Sequence, residues 1–220
     1  MVMDSLPQWA TSALGASGHE RIEQAIAKAE ATTSGEIVPV LVRKSSTTGH
    51  VPLLVFSLLL LAAYIADLPA LASDWLGSDP IGIAACWLTA AGVGYWVSRF
   101  DWVDRLMTPR PDQMRQVDLR AQLEFYELDL GKTDGRTGVL LMVSLMEHRA
   151  VVLADHGISE KLDTEAWQEV VDLMIGGVKG GDLAEGMCAA IERCGELLTP
   201  HFPIAGDDAN ELHDHLIVKE

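Results

Sequence analysis

Residues 139–154 read VLLMVSLMEHRAVVLA, and this run decides the fold. Val139–Leu145 and Ala150–Ala154 are rich in β-branched and large aliphatic side chains. Met146-Glu147-His148-Arg149 lies between them, a spacing suited to a β-hairpin. On the N-terminal side, GKTDGRTG (131–138) is a loop. Before it, Met114, Val117, Ala121, Phe125 and Leu128 mark one face of a helix that begins after Pro109 and Pro111 and stops near Gly131. On the C-terminal side, Asp163-Thr164 open a helix with Ala166, Trp167, Val170, Val171 and Met174 inward, and the glycines of 176–181 are expected to end it. Asp182 and Glu185 begin another, whose apolar stripe is Leu183, Met187, Cys188, Ile191, Cys194 and Leu198.

Ser17 and Glu20 form a capping-box pattern ahead of Ile22, Ala25, Ile26 and Ala29, which predicts an amphipathic helix ending near Thr33-Ser34-Gly35. EIVPVLV (36–42) reads as a strand, and Pro39, which lacks an N–H, moves it toward a sheet edge. The order helix, strand, helix, strand, strand, helix, helix describes an α/β domain, a small mixed sheet sandwiched between helices.

That order is interrupted. Val51–Ala66 carries no charge, and after a stretch holding Asp67, Asp74 and Asp79 a second uncharged run extends from Ile81 to Val97. Each is slightly short of the roughly 20 apolar residues that cross a hydrocarbon core, and Leu68, Leu71, Phe100 and Trp102 extend them. The expectation is a two-helix transmembrane hairpin over 51–97, inserted into the α/β domain. Tyr64, Trp75, Tyr95, Trp96 and Trp102 lie near its ends, where amphipathic rings favour the interface. Arg43 and Lys44 precede the first run and Arg99, Arg105, Arg110 and Arg115 follow the second, while the loop between has no Lys or Arg. This puts both termini and the α/β domain on the cytoplasmic side of a bacterial inner membrane. Residues 1–15 lack the basic start and apolar stretch of a signal peptide, so the hairpin is the expected targeting element and the lipid bilayer the first expected partner.

The composition agrees. With 49% hydrophobic and 22% charged residues the chain is a folded one, and a net charge of −16 excludes a phosphate-reading surface, so no nucleic acid is expected. Cys86, Cys188 and Cys194 match neither a disulfide framework nor a zinc site.

Specific motifs carry a resemblance. Thr33-Ser34-Gly35-Glu36-Ile37-Val38, Gly138-Val139-Leu140-Leu141-Met142-Val143-Ser144, Glu147-His148-Arg149 and Ala154-Asp155-His156-Gly157-Ile158 resemble the TPM domain family, whose members are often labelled phosphatases. The C-terminal Phe202-Pro203 and Asp207-Asp208-Ala209-Asn210-Glu211-Leu212 resemble bacterial membrane-bound members associated with LemA-type proteins. The resemblance implies a discontinuous TPM-like domain over 17–45 and 112–200, a polar C-terminal tail over 201–220, and a LemA-type membrane protein as partner. Where other members read glycine, aromatic, glycine, leucine, glutamate, this chain has Asp155-His156-Gly157-Ile158-Ser159.

For chemistry, Cys188 and Arg193 are one residue too close for a cysteine-phosphatase loop, and the glycines of 176–181 are not followed by the Lys-Ser/Thr of a phosphate-binding loop. The best acidic candidates sit at strand and helix ends: Asp155 and His156 after the second hairpin strand, Asp163 and Asp182 at helix starts. Such hard oxygen donors suit Ca²⁺ or Mg²⁺, and the same aspartates also suit helix N-caps. Asp207, Asp208, Asn210 and Glu211 are the candidate partner contact. The function expected is a membrane-anchored, non-catalytic binding or adaptor protein in envelope maintenance. The alternative is a divalent-metal-dependent phosphatase.

Overall fold

The computed structural model describes residues 6–46, 51–67, 80–97, 100–133, 135–204, 212 and 215–220. The chain divides into two compact units, one formed by 1–46 with 114–220 and the other by 47–113.

The first unit is built on a four-stranded sheet in the order β3-β2-β1-β4, with β1 Glu36–Val42, β2 Gly138–Ser144, β3 Arg149–Ala154 and β4 Ile217–Lys219. β1 runs parallel to β2 in the register Glu36 to Gly138 and parallel to β4 from Val40 onward, and β2 and β3 form the expected antiparallel hairpin. The apolar character of β1 from Ile37 and of β2 up to Val143 follows from burial on both faces. Ile37, Leu41, Val139, Leu141 and Val143 enter a core with α1 (Gln8–Leu14), α2 (Gly18–Glu30), the helix following residue 167 and the last long helix. Val38, Val40, Val42, Leu140 and Met142 enter the core on the other face, with Val117 and Ala121. Each fully buried aliphatic side chain in these layers contributes about 1.5–3 kcal/mol relative to exposure.

The second unit holds two apolar helices, α3 (Val51–Ile65) and α4 (Pro80–Val97), and the short α5 (Asp101–Met107). Val55 and Val103 form a small buried apolar cluster in it, with Leu59, Val97 and Met107 against them. The hairpin therefore interrupts the sheet where the charge-free runs placed it. The expectation of a transmembrane hairpin is corrected in one respect: among the described residues no helix is long and apolar enough to cross a membrane. The 15 and 18 helical residues of α3 and α4 rise about 22 and 27 Å, against a hydrocarbon core of about 30 Å.

Helix α6 (Arg110–Glu127) buries Val117 and Ala121 with Phe125 and Leu128 beside them, as the spacing predicts, but Met114 lies off that face and is exposed. After β3 come the one-turn α7 (His156–Ser159), a 3₁₀ turn at Thr164–Trp167, α8 (Gln168–Gly180) and α9 (Leu183–Leu198).

Three sequence expectations change here, and a fourth is sharpened. Ser17 occupies the N-cap of α2 but its side chain caps nothing, since its ψ of 3° is not that of an extended cap residue. Pro39 sits in an interior strand, yet β4 starts pairing only at Val40, so the side on which the missing N–H would project has no strand beside it. The glycines of 176–181 do end α8, at the last of them: the helix continues through Gly176 and Gly177 to Gly180 and stops at Gly181, φ 78°. Gly177 is inside the helix because a Cβ there would lie 2.8 Å from the Cα of Gly186, so the two helices meet backbone to backbone. Finally, the tail is not wholly loop-like: its last residues form β4, with the Arg43 N–H donating to the Lys219 carbonyl at 3.1 Å.

Candidate functional site

The sheet has two chemically different ends. Where the parallel strands β1 and β2 finish, Glu147 in the hairpin turn is 2% exposed. Its carboxylate accepts the Ser45 N–H at 3.2 Å, the Ser46 N–H at 2.7 Å and the Ser144 hydroxyl at 2.5 Å. The Ser45 and Ser144 hydroxyls are 2.8 Å apart. The turn is closed by His148 in the left-handed region, φ 51°, whose N–H donates to the Leu145 carbonyl. Two amides and a hydroxyl thus converge on one carboxylate and tie the exit of β1 to the β2–β3 turn.

Because β3 is antiparallel to β2, its carboxyl end lies beside the start of β2, at the opposite end of the sheet. The Asp155 N–H donates to the Gly138 carbonyl at 2.9 Å. Asp155 is therefore separated from Glu147 by the length of β2, about 23 Å for its seven residues. Its buried carboxylate caps α7 by accepting the His156 N–H at 2.6 Å and lies 3.4 Å from the Arg136 guanidinium. Arg136 itself has φ 51°. The His156 ring places Nε2 3.0 Å from Glu160 Oε1.

Asp163 precedes the 3₁₀ turn, accepting the Ala166 N–H on its carbonyl, and its side chain caps nothing. Asp182 caps α9, with Oδ1 accepting the Glu185 N–H at 3.0 Å. The two lie beyond opposite ends of α8, whose 13 residues span about 20 Å. Of the four proposed metal-ligating residues, the fold thus brings Asp155 and His156 together and sets Asp163 and Asp182 apart. No group of three or more His, Cys, Asp or Glu able to hold a metal ion occurs among the described residues. Asp207, Asp208, Asn210 and Glu211 lie outside the described residues.

Asp182 does border an open groove of about 880 Å³ between α8 and α9, floored by Leu173, Gly177, Gly186 and Ala189 and edged by Glu165, Glu169, Asp172 and Glu185. Part of this acidic rim is already paired: Arg193 Nε lies 2.7 Å from Glu169, Gln168 donates to Asp172 at 3.0 Å, and Arg21 contacts Glu185. The signal for the rim was present as Glu165, Glu169 and Asp172 at i, i+4, i+7.

A second buried acid was missed. Glu124 on α6 is fully buried, with Arg120 Nε at 2.6 Å and Lys219 Nζ at 2.5 Å, and Lys219 also reaches Glu127 at 2.8 Å. The i, i+4 spacing of Arg120 and Glu124 is visible in the sequence, but Lys219 enters only through β4. Burial pulls the Lys219 amine down, yet the hydrogen bonds and charges of Glu124 and Glu127 outweigh it and raise the amine above its ordinary value.

Residues 103–197 match the family model described as TPM domain, TPM_phosphatase. The NMR structure of the BA42 protein from the psychrophilic bacterium Bizionia argentinensis is similar in fold, with a TM-score of 0.58 and 22% sequence identity over 94% of this chain and 95% of that one. No curated protein matches the chain.

Proposed function

We propose that this TPM-domain protein is a membrane-anchored binding or adaptor protein of the bacterial envelope, held at the cytoplasmic face of the inner membrane by the α3–α4 hairpin. One observation carries the reading: Leu53, Leu58, Leu61, Ile65, Leu88 and Val93 are each more than half exposed on the two helices. Contiguous apolar surface of this extent is costly in water and favourable in lipid. Helices 22 to 27 Å long reach through most of a hydrocarbon core, and flanking residues or local thinning of the bilayer accommodate the remainder. The basic residues on either side of the hairpin favour the cytoplasmic placement.

The binding role draws on how the acids are used. Asp155, Asp182, Glu147 and Glu124 are engaged as caps, clamps and ion pairs within the chain. A LemA-type membrane protein is the partner proposed for the segment around 207–211.

The anchoring reading is tested by membrane fractionation followed by carbonate extraction, where the chain should stay in the pellet. Accessibility labelling of cysteines introduced at Ser78 and near Glu220 should give opposite sidedness. Release by carbonate, or labelling of the C-terminal position from outside intact cells, overturns it.

The second reading, a divalent-metal-dependent phosphatase, is favoured by the family model's label and by the acidic groove beside Asp182. A surface this acidic repels phosphomonoesters unless a cation bridges them. Turnover of a phosphomonoester that needs Mg²⁺ or Ca²⁺, stops with chelator and is lost in Asp155→Asn or Asp163→Asn would establish it. A rate indifferent to all of these supports the binding role.

A further inference from the structure

Helices α8 and α9 are joined only by Gly181 and Asp182, and the open groove of about 880 Å³ lies between them. Its floor is bare on the α8 side, where Leu173, Gly176 and Gly180 follow one another at i, i+3, i+7. Gly177 is required by Gly186, but Gly176 and Gly180 are not: a Cβ at either would meet no atom of the chain within 4 Å. Glycine in mid-helix weakens the helix relative to alanine. Gly176 therefore costs α8 stability without serving its internal packing, and what it provides is close access to the helix backbone from outside.

The rim carries the charge, and no Lys or Arg lines the groove. Arg193 is shared between Glu169 and Glu196, and Arg21 takes Glu185. Three carboxylates remain. Glu165 has no partner, Asp172 is held only by the neutral Gln168 amide, and Asp182 accepts only the Glu185 N–H. Among the described residues none of the three has a cation beside it. They are also strung along the groove, about 10 Å of helical rise from Glu165 to Asp172 and about 15 Å from Asp172 to Asp182. One metal ion, with its ligands at about 2.3–2.6 Å, cannot neutralise carboxylates so far apart.

We propose that this groove seats a basic amphipathic α-helix of a partner protein. A stripe of small or aliphatic side chains on that helix lies over Leu173, Gly176, Gly180 and Ala189, where the glycines admit a close helix axis. Its Lys or Arg residues reach the three carboxylates, whose separations set them about two and three turns apart, near i, i+7 and i+17. The chain offers no such helix of its own among the described residues. Arg21, Lys28 and Arg120 are already paired, and Arg110 and Arg115 alternate with Asp112 and Asp118 on α6. The contact gives the binding role proposed above its partner chemistry. It does not depend on the anchoring, which carbonate extraction decides separately.

The probe is a fluorescein-labelled, alanine-rich synthetic helix with lysines at i, i+7 and i+17, titrated against the full chain in mild detergent and followed by anisotropy. Saturable one-to-one binding is expected, and the same peptide with glutamates for lysines should not bind. Gly176→Leu fills open space without touching the chain, so it should melt no lower than wild type yet weaken binding by about tenfold or more with no change of charge. Gly180→Leu, equally unhindered, repeats the test at the other end of the groove. Asp172→Asn should weaken binding by about threefold, the scale of one exposed ion pair, and flatten its salt dependence. Binding indifferent to both leucine variants reports attraction to net charge alone and overturns the proposal. Absence of saturable binding overturns it, as does displacement of the peptide by Ca²⁺ or Mg²⁺ at constant ionic strength. Self-association of the wild-type chain that Gly176→Leu abolishes would assign the groove to a second copy and overturns it too.

Discussion

Replacing Lys219 with Met keeps most of the aliphatic stem of the side chain and removes its charge, isolating what the ammonium does for the C-terminal strand. In the native protein Nζ lies 2.5 Å from fully buried Glu124 and 2.8 Å from Glu127. Charge-assisted hydrogen bonds are worth about 1.5–3 kcal/mol each when buried, but Lys219 is 28% exposed and Glu127 lies at the surface, so solvent screening reduces the second bond to a few tenths. Arg120 remains on Glu124 and limits the desolvation penalty of the orphaned carboxylate. The expected net loss is about 2 kcal/mol, which for a domain of this size lowers Tm by about 4–8 °C. Urea unfolding at pH 7 followed by circular dichroism measures it, with Glu124→Gln and the double variant closing the cycle. The sign with pH is fixed by the raised folded-state pKa: the stabilisation is fully present below the ordinary lysine value of 10.5 and is lost as pH rises through the higher folded value. A gap between wild type and Lys219→Met below about 0.5 kcal/mol, on the scale of an exposed pair, or a gap that narrows between pH 7 and 9, would refute the assignment of Lys219 as the residue that pins β4.

Gly177→Ala should destabilise by about 1–3 kcal/mol in thermal melts, because its Cβ would meet the backbone of Gly186, whereas Gly180→Ala, with open space around it, should not. Glu147→Ala should cost about 2–4 kcal/mol in urea titrations by leaving the Ser45 and Ser46 amides without their acceptor. Burial pushes the Cys194 thiol far up and the Cys188 thiol up less, so iodoacetamide at pH 8 should modify Cys194 only on unfolding, as mass spectrometry of protected and denatured samples will show.

The strands and the long helices were legible because both carry their signal locally. β1 from Ile37 and β2 up to Val143 are apolar, as strands covered on two faces must be, and the stripe of α9 from Leu183 to Leu198 is buried as its 3.6-residue spacing requires, apart from half-buried Cys188. β4 was not legible. Ile217–Lys219 is too short for a periodicity, and it becomes a strand only because β1 offers it a free edge beyond Pro39. The glycine run was legible as the stop of α8, but the place of Gly177 inside the helix was not, because it is required by Gly186 of the next helix, a contact no local pattern contains. At the site level, Asp155, Asp163 and Asp182 were correctly seen to stand at element ends, but their grouping depended on strand direction. A hairpin sends Asp155 to the end of the sheet opposite Glu147, and Glu147 became conspicuous only once Ser45 and Ser46 were seen to fold onto it.

The insertion of α3 and α4 between two adjacent strands also dictates an order of events during synthesis. β1 leaves the ribosome first, but the strand it must lie against begins at Gly138, so Glu36 cannot meet its register partner until the whole apolar hairpin and α6 have followed. Contacts so distant along the chain form slowly, since a long loop must close before any pairing rewards it. In the interval β1 is an apolar strand with both edges bare, the condition in which nascent chains aggregate. On the anchoring proposed above, early capture of α3 would keep β1 and the later strands tethered at one place while translation is completed.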